Sequence, residues 1–177
     1  MDACVFDPPY FDYIAYDELS EFHRAWMDDA ALAGAPLLPE LASETAQSFG
    51  LKLANCLKAM LRQLCPGRLI VFTYHSAKAS AWSAIGIALD EANLSITGLW
   101  PVRSDGHMGH HSHEGNCEWD IVIVCRRSAE TRPTPLGATV DLWLGQLSPL
   151  EVMKADRLNM SLAIEMATSR FASVCGD

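Results

Sequence analysis

Asp7-Pro8-Pro9-Tyr10 follows a short apolar run, Ala3-Cys4-Val5-Phe6, and precedes a second aromatic residue, Phe11. The run is β-compatible and closed by the two prolines, which predicts a strand whose C-terminal end presents a carboxylate, a rigid turn and an aromatic ring. Open α/β sheets bind ligands at that edge. The chemistry that uses such a set is methyl transfer to an exocyclic amine of a nucleobase. The lone pair of that amine is delocalised into the ring, so the nitrogen is a poor nucleophile. A carboxylate and a backbone carbonyl that accept its hydrogens draw it towards a tetrahedral, reactive geometry, while an adjacent tyrosine ring holds an extruded base by stacking. Asp7, the Pro8 carbonyl and Tyr10 are the candidates for these roles. The alternative is a strand-to-loop turn with a solvated aspartate, and so short a motif leaves both open.

A second group lies in His107-Met108-Gly109-His110-His111-Ser112-His113-Glu114-Gly115-Asn116-Cys117. Its histidines, with Glu114 and Cys117, offer nitrogen, oxygen and sulfur ligands to zinc or another divalent metal. Close neighbours in a glycine-containing loop rarely converge without a scaffold, so no metal site is assigned, and a polar connection or a substrate-contacting loop stand beside that reading. Cys117 with His113 pairs a nucleophile with a base but lacks an orienting third residue. His75 follows an apolar run at the same expected edge as Asp7, either lining a pocket or hydrogen-bonded within the fold. Arg103 is placed to meet a phosphate or a base edge, or is simply an exposed arginine at a strand end. Tyr13 and Tyr16 either extend an aromatic wall or pack under the first helix.

Alternating elements position these residues. After the first strand, Asp17 is suited to cap a helix through Met27, with Leu19, Phe22 and Trp26 on one stripe. Ala33-Gly34-Ala35-Pro36 breaks the chain up to Pro39. From Glu40 to Leu64, positions 41, 45, 49, 53, 57, 60, 61 and 64 trace one helical face that the Pro66-Gly67 turn ends. Leu69 to Tyr74 is an almost unbroken apolar and aromatic run, as in a parallel strand buried on both faces. A helix is expected over 78–92, with Trp82, Ile85 and Leu89 inward and Asn93 as its stop. Leu94–Val102 and Trp119–Cys125 read as further strands. Pro133, Pro135 and Pro149 mark 128–148 as a linker crossing the surface, and Leu150, Met153, Met160, Ile164 and Phe171 suggest a C-terminal helix within 149–177.

Composition sets outer bounds. The 177 residues, 50% hydrophobic and 20% charged, suffice for one ordinary core. There is no apolar run of membrane-spanning length and no signal-peptide pattern, so a cytoplasmic protein with no membrane partner is expected. The six cysteines contain no CxxC pair and lie mostly in apolar elements, which favours reduced, buried thiols. The net charge is −9, the wrong overall sign for a chain that grips DNA phosphates unaided. Arg126, Arg127 and Arg132 form the one compact basic set, most simply the solvated end of a strand.

Val5-Phe6-Asp7-Pro8-Pro9-Tyr10-Phe11-Asp12-Tyr13 resembles the catalytic motif of the amino-directed DNA methyltransferases, which transfer methyl from S-adenosylmethionine to adenine N6 or cytosine N4. Leu64-Cys65-Pro66-Gly67-Arg68-Leu69-Ile70-Val71-Phe72 resembles the helix end, Pro-Gly turn and fifth strand of that fold. Thr73-Tyr74-His75-Ser76, Trp82, Trp100-Pro101-Val102-Arg103 and Ile121-Val122-Ile123-Val124-Cys125-Arg126 resemble a narrower group, the large adenine-specific DNA methylases. Together these segments span residues 2–127.

The resemblance implies an α/β chain forming the C-terminal half of a Rossmann-like, S-adenosylmethionine-dependent methyltransferase sheet, from its fourth strand onward and with the last strand antiparallel. It implies a partial catalytic domain over 1–127 acting on adenine N6 in DNA, with Asp7, Pro8 and Tyr10 catalytic. Pro9, Phe11, Tyr13, His75 and Arg103 are then substrate-binding, and Asp7 also touches the cosubstrate. Such enzymes cradle S-adenosylmethionine on a glycine-rich turn after their first strand. Here the motif begins six residues after Met1, and Gly137, Gly145 and Gly176 are isolated. The implied partners are therefore DNA and an N-terminal methyltransferase half or partner subunit. A non-catalytic remnant or interaction subunit of such an enzyme is the alternative.

Overall fold

The computed structural model describes residues 1–11, 45–104, 117–130, 139–147 and 152–175. Strand β1 (Ala3–Phe6) is followed, after Thr45, by helix α1 (Ala46–Gln63), then β2 (Leu69–Tyr74), α2 (Ala79–Glu91), β3 (Leu94–Arg103) and β4 (Trp119–Arg127). A 3-10 turn (Ser128–Glu130), helix α3 (Val140–Leu147) and helix α4 (Lys154–Cys175) complete the described elements.

Local chemistry sets these boundaries. The prolines at 8 and 9 end β1 after four residues. Position 45 does not belong to the inward face of α1: Thr45 is its N-cap, and its side chain accepts from the Ser48 amide at 3.1 Å. Phe49, Leu53 and Leu57 form the buried face of α1. The helix ends before Pro66-Gly67, where Gly67 takes φ 74°, open to glycine without strain. Arg127 donates to the carbonyls of Leu61, Leu64 and Cys65, satisfying the last turn of α1 from the end of β4. Gly50 allows α1 to approach α2 closely, since a Cβ there would lie 2.8 Å from the Ala84 carbonyl oxygen. Asn93 stops α2 at φ 53°, the left-handed geometry that asparagine tolerates.

The sheet order is β1-β2-β4-β3. β1 and β2 are parallel, whereas β4 lies between β2 and β3 and runs antiparallel to both. The C-terminal ends of β1, β2 and β3 and the start of β4 thus share one edge. On β2, Ile70, Phe72 and Tyr74 are buried while Val71 and Thr73 are half-buried, so the strand is not enclosed equally on its two faces as its apolar run suggests. The same alternation runs along β4, and Val5 on β1 is 74% exposed.

Residues 140–147 lie in the stretch expected to be linker and are helical instead. Trp143 of α3 is buried, and α3 packs against α4. Helix α4 buries Met160, Ala163, Met166 and Ala167, together with two polar side chains, Asp156 and Asn159, that have no solvent exposure. The helix expected over 17–27 falls outside the described residues.

Candidate functional site at the sheet edge

Asp7 leaves β1 at the shared edge with its side chain exposed, while Pro8 behind it is buried. The parallel register Phe6↔Phe72 brings the next residue of β2, Thr73, level with it. Thr73 Oγ1 donates to Asp7 Oδ1 at 2.9 Å, and the Tyr10 hydroxyl donates to the same oxygen at 3.3 Å. Among the described residues Asp7 Oδ2 accepts no hydrogen bond. One carboxylate oxygen is anchored and the other is left available.

Aromatic rings back the motif. Tyr10 stacks on Tyr74, centroids 5.3 Å apart and planes 18° from parallel, and its ring lies 4.6 Å from that of His75. Tyr74 is buried and meets Trp82 edge-on. Its hydroxyl accepts from the Phe11 amide at 3.2 Å, tying the end of the motif to β2. Phe11 itself packs edge-on against Phe49 in the core, and Pro9 is half-buried. The ring of Phe11 serves packing, so the aromatic face near Asp7 comes from Tyr10 and not from Phe11.

His75 is oriented by a carboxylate. The antiparallel pair Tyr74↔Ile121 sets His75 opposite Asp120, and His75 Nδ1 contacts Asp120 Oδ1. Below this pair, α4 clamps the edge. Asn159 Oδ1 accepts from the Ser76 amide at 2.9 Å, and its Nδ2 donates to the Trp119 carbonyl at 2.8 Å. Asp156 Oδ1 accepts from the amides of Glu118 and Trp119 at 2.7 and 3.1 Å, and Oδ2 from that of Met153 at 3.3 Å. Burial raises the Asp156 carboxyl above its ordinary value of 3.8, and these amides act in the opposite direction.

The other candidates are distributed differently. Arg103 stands at the same edge with an exposed ion pair to Glu118 at 3.4 Å, a contact that contributes little to stability. Arg126 donates to Thr97 Oγ1 at 2.7 Å and Arg127 caps α1, so both engage the fold, while Arg132 lies outside the described residues. Tyr13, Tyr16 and the histidine loop up to Asn116 also lie outside them. Cys117 is described. Burial pushes its thiol up to about 12, with the charges of Asp156 and Asp120 adding to the effect, which removes the thiolate a nucleophile or metal ligand requires. At pH 8 the alkylation of Cys117 by iodoacetamide is expected to be at least about tenfold slower than that of exposed Cys65, as peptide mass mapping over time would read. Equal rates would contradict the buried environment. Cys4, Cys56, Cys65, Cys117 and Cys125 are free, with Cys125 buried and Cys65 exposed against the general expectation of buried thiols.

Thr73, Asp120, Asp156 and Asn159 were not singled out from sequence for these roles. The available signal was polarity out of pattern: Asp120 and Thr73 interrupt apolar strands, and Asp156 and Asn159 share the helical face of Met160 and Ala163.

S-adenosylmethionine finds one exposed carboxylate here, Asp7, but no cradle. The residues after β1 are Asp7-Pro8-Pro9 and those after β2 are His75-Ser76-Ala77, and no glycine-rich turn follows a strand among the described residues. The described side chains do not fit the nucleoside half of that molecule. No family model, curated protein or solved structure matches the chain. Fold and site define its class as a mixed α/β protein with a four-stranded sheet and a polar, aromatic cluster at one edge. Among the described residues no helix is long and apolar enough to cross a membrane.

Proposed function

We propose that the edge cluster is the methyl-acceptor side of an adenine-N6 DNA methyltransferase, with Asp7, Pro8 and Tyr10 as its catalytic residues. The observation that carries the reading is the Asp7 carboxylate, exposed at a strand end, held through Oδ1 by two hydroxyls and available through Oδ2. The element order and the antiparallel last strand support it as well, since both are what the methyltransferase resemblance implies.

In this reading Oδ2 of Asp7 and the Pro8 carbonyl accept the hydrogens of the exocyclic amine. Both interactions strengthen as the nitrogen becomes tetrahedral, so they favour the transition state over the bound substrate. Tyr10, backed by Tyr74, offers a ring to an extruded adenine. The cosubstrate's glycine-rich turn comes from outside the described residues, from an N-terminal half or a partner subunit. With a net charge of −9, most of the DNA grip also comes from that partner.

The test is expression of the chain from its native locus, with the flanking reading frames, in a host whose DNA is unmethylated. Mass spectrometry of hydrolysed DNA is expected to show N6-methyladenine that disappears in Asp7→Ala. N4-methylcytosine instead would redirect the reading to the other amine. Neither product would remove it.

A further inference from the structure

We infer that Thr73 is a positioning residue for Asp7: it fixes one oxygen of the carboxylate so that the other is ready for an exocyclic amine. The inference rests on the methyl-acceptor reading above. It starts from a freedom that the Asp-Pro-Pro-Tyr backbone does not remove. The prolines fix the turn, but the terminal torsion of an aspartate is broad and roughly two-fold, so a carboxylate held by nothing samples many orientations.

Thr73 supplies the restraint from another strand. The parallel register sets it beside Asp7, its Oγ1 donates to Oδ1 at 2.9 Å, and the Tyr10 hydroxyl completes that oxygen at 3.3 Å. Threonine is β-branched and stiff at χ1, so its half-buried place on β2 sets where the donor stands. A hydroxyl also leaves the carboxylate charge uncompensated, which a lysine or arginine in the same place would not. The shorter of the two bonds is the one from Thr73, so the main restraint on the motif comes from outside it. Holding a group in its productive orientation before substrate arrives is a recognised source of rate and selectivity.

The discriminating measurement uses free nucleosides and needs neither cosubstrate nor DNA. Adenosine and purine riboside, which differ by the exocyclic amine, are titrated into the chain and followed by the ring-proton NMR signals of Tyr10. A site built to hydrogen-bond an amine rejects the analogue that lacks it. The chain is expected to prefer adenosine by about tenfold, the worth of one net hydrogen bond. Thr73→Ser keeps the donor and that preference. Thr73→Val keeps the shape, loses the donor and is expected to reduce the preference to about threefold or less. Asp7→Ala abolishes it. Should Thr73→Val not fold, Thr73→Ala carries the same expectation.

The two readings fail separately. If Asp7→Ala loses the preference while Thr73→Val retains it in full, Thr73 does not position the carboxylate and the acceptor reading stands. If the unaltered chain shows no preference, or Asp7→Ala keeps it, Asp7 is not the acceptor of the amine and both readings fall.

Discussion

Asp7→Ala is expected to lower the rate of adenine methylation by about 10²-fold or more, the usual loss when a transition-state hydrogen-bond partner is removed. The fold should survive the change. Asp7 is exposed, its bonds to Thr73 and Tyr10 lie at the rim, and the buried layer of Phe72, Tyr74, Ile121 and Ile123 does not include it. KM should move little, because in the proposed mechanism the interaction strengthens after substrate has bound. The assay is steady-state methylation of duplex DNA by the complemented enzyme, with unfolding by urea as the control. A parental rate in Asp7→Ala would show that the carboxylate is not the acceptor for the amine.

Tyr10 separates two contributions within the same experiment. Tyr10→Ala removes the ring that stacks on Tyr74 and that the proposed function turns towards an extruded base, at an expected cost of about 1–3 kcal/mol. Tyr10→Phe keeps the ring and loses the long hydrogen bond of 3.3 Å to an oxygen that Thr73 still holds at 2.9 Å. The phenylalanine variant is therefore expected to be mild. A large loss in Tyr10→Phe would move the main restraint on Asp7 from Thr73 to Tyr10.

What sequence revealed of this molecule follows from the range of the interactions. Strands β2, β3 and β4 announce themselves as local apolar runs, and the end of α2 is visible in Asn93, whose side chain tolerates the left-handed turn found there. The motif was equally legible because Asp7, Pro8 and Tyr10 are neighbours in the chain. Their partners are not. Thr73 reaches Asp7 across 66 residues, and Asn159 reaches Ser76 across 83. No periodicity encodes such pairings, and the register of the sheet has to be known first. Helix α3 was hidden for a different reason. The prolines at 133, 135 and 149 flank Val140–Leu147 without interrupting it, while Val140, Trp143 and Leu147 keep helical spacing. Prolines that flank a short helix look in sequence like those of a linker. Phe11 shows a third limit, because an aromatic residue beside a motif looks alike in sequence whether it faces substrate or, as here, Phe49.

The largest effect on stability is expected at Asp156. It stands in the first turn of α4, fully buried, where Oδ2 accepts from the amide of Met153 ahead of the helix, as the acidic residue of a capping box does. Oδ1 takes the amides of Glu118 and Trp119, fastening α4 to the start of β4 beneath the His75–Asp120 pair. Asp156→Ala leaves these donors without their acceptor. At about 1–3 kcal/mol for each buried donor left unsatisfied, with partial relaxation, a loss of roughly 3–5 kcal/mol is expected. Asp156→Asn should cost less, since its carbonyl oxygen still accepts from β4 while its amide no longer accepts from Met153. The two variants also differ from the parent in pH dependence. Burial raises the carboxyl of Asp156, so the folded chain holds its proton more tightly than the unfolded one. The contribution of that proton is complete below the unfolded value and is lost as pH rises through the folded one. Urea midpoints measured upward from pH 3.8 should therefore show a falling contribution in the parent that Asp156→Asn lacks. Identical pH profiles for parent and Asp156→Asn would mean that the amides of Glu118, Trp119 and Met153 balance burial, and a contribution that rises with pH in the parent would mean that they outweigh it and that the carboxylate is the favoured form in the clamp.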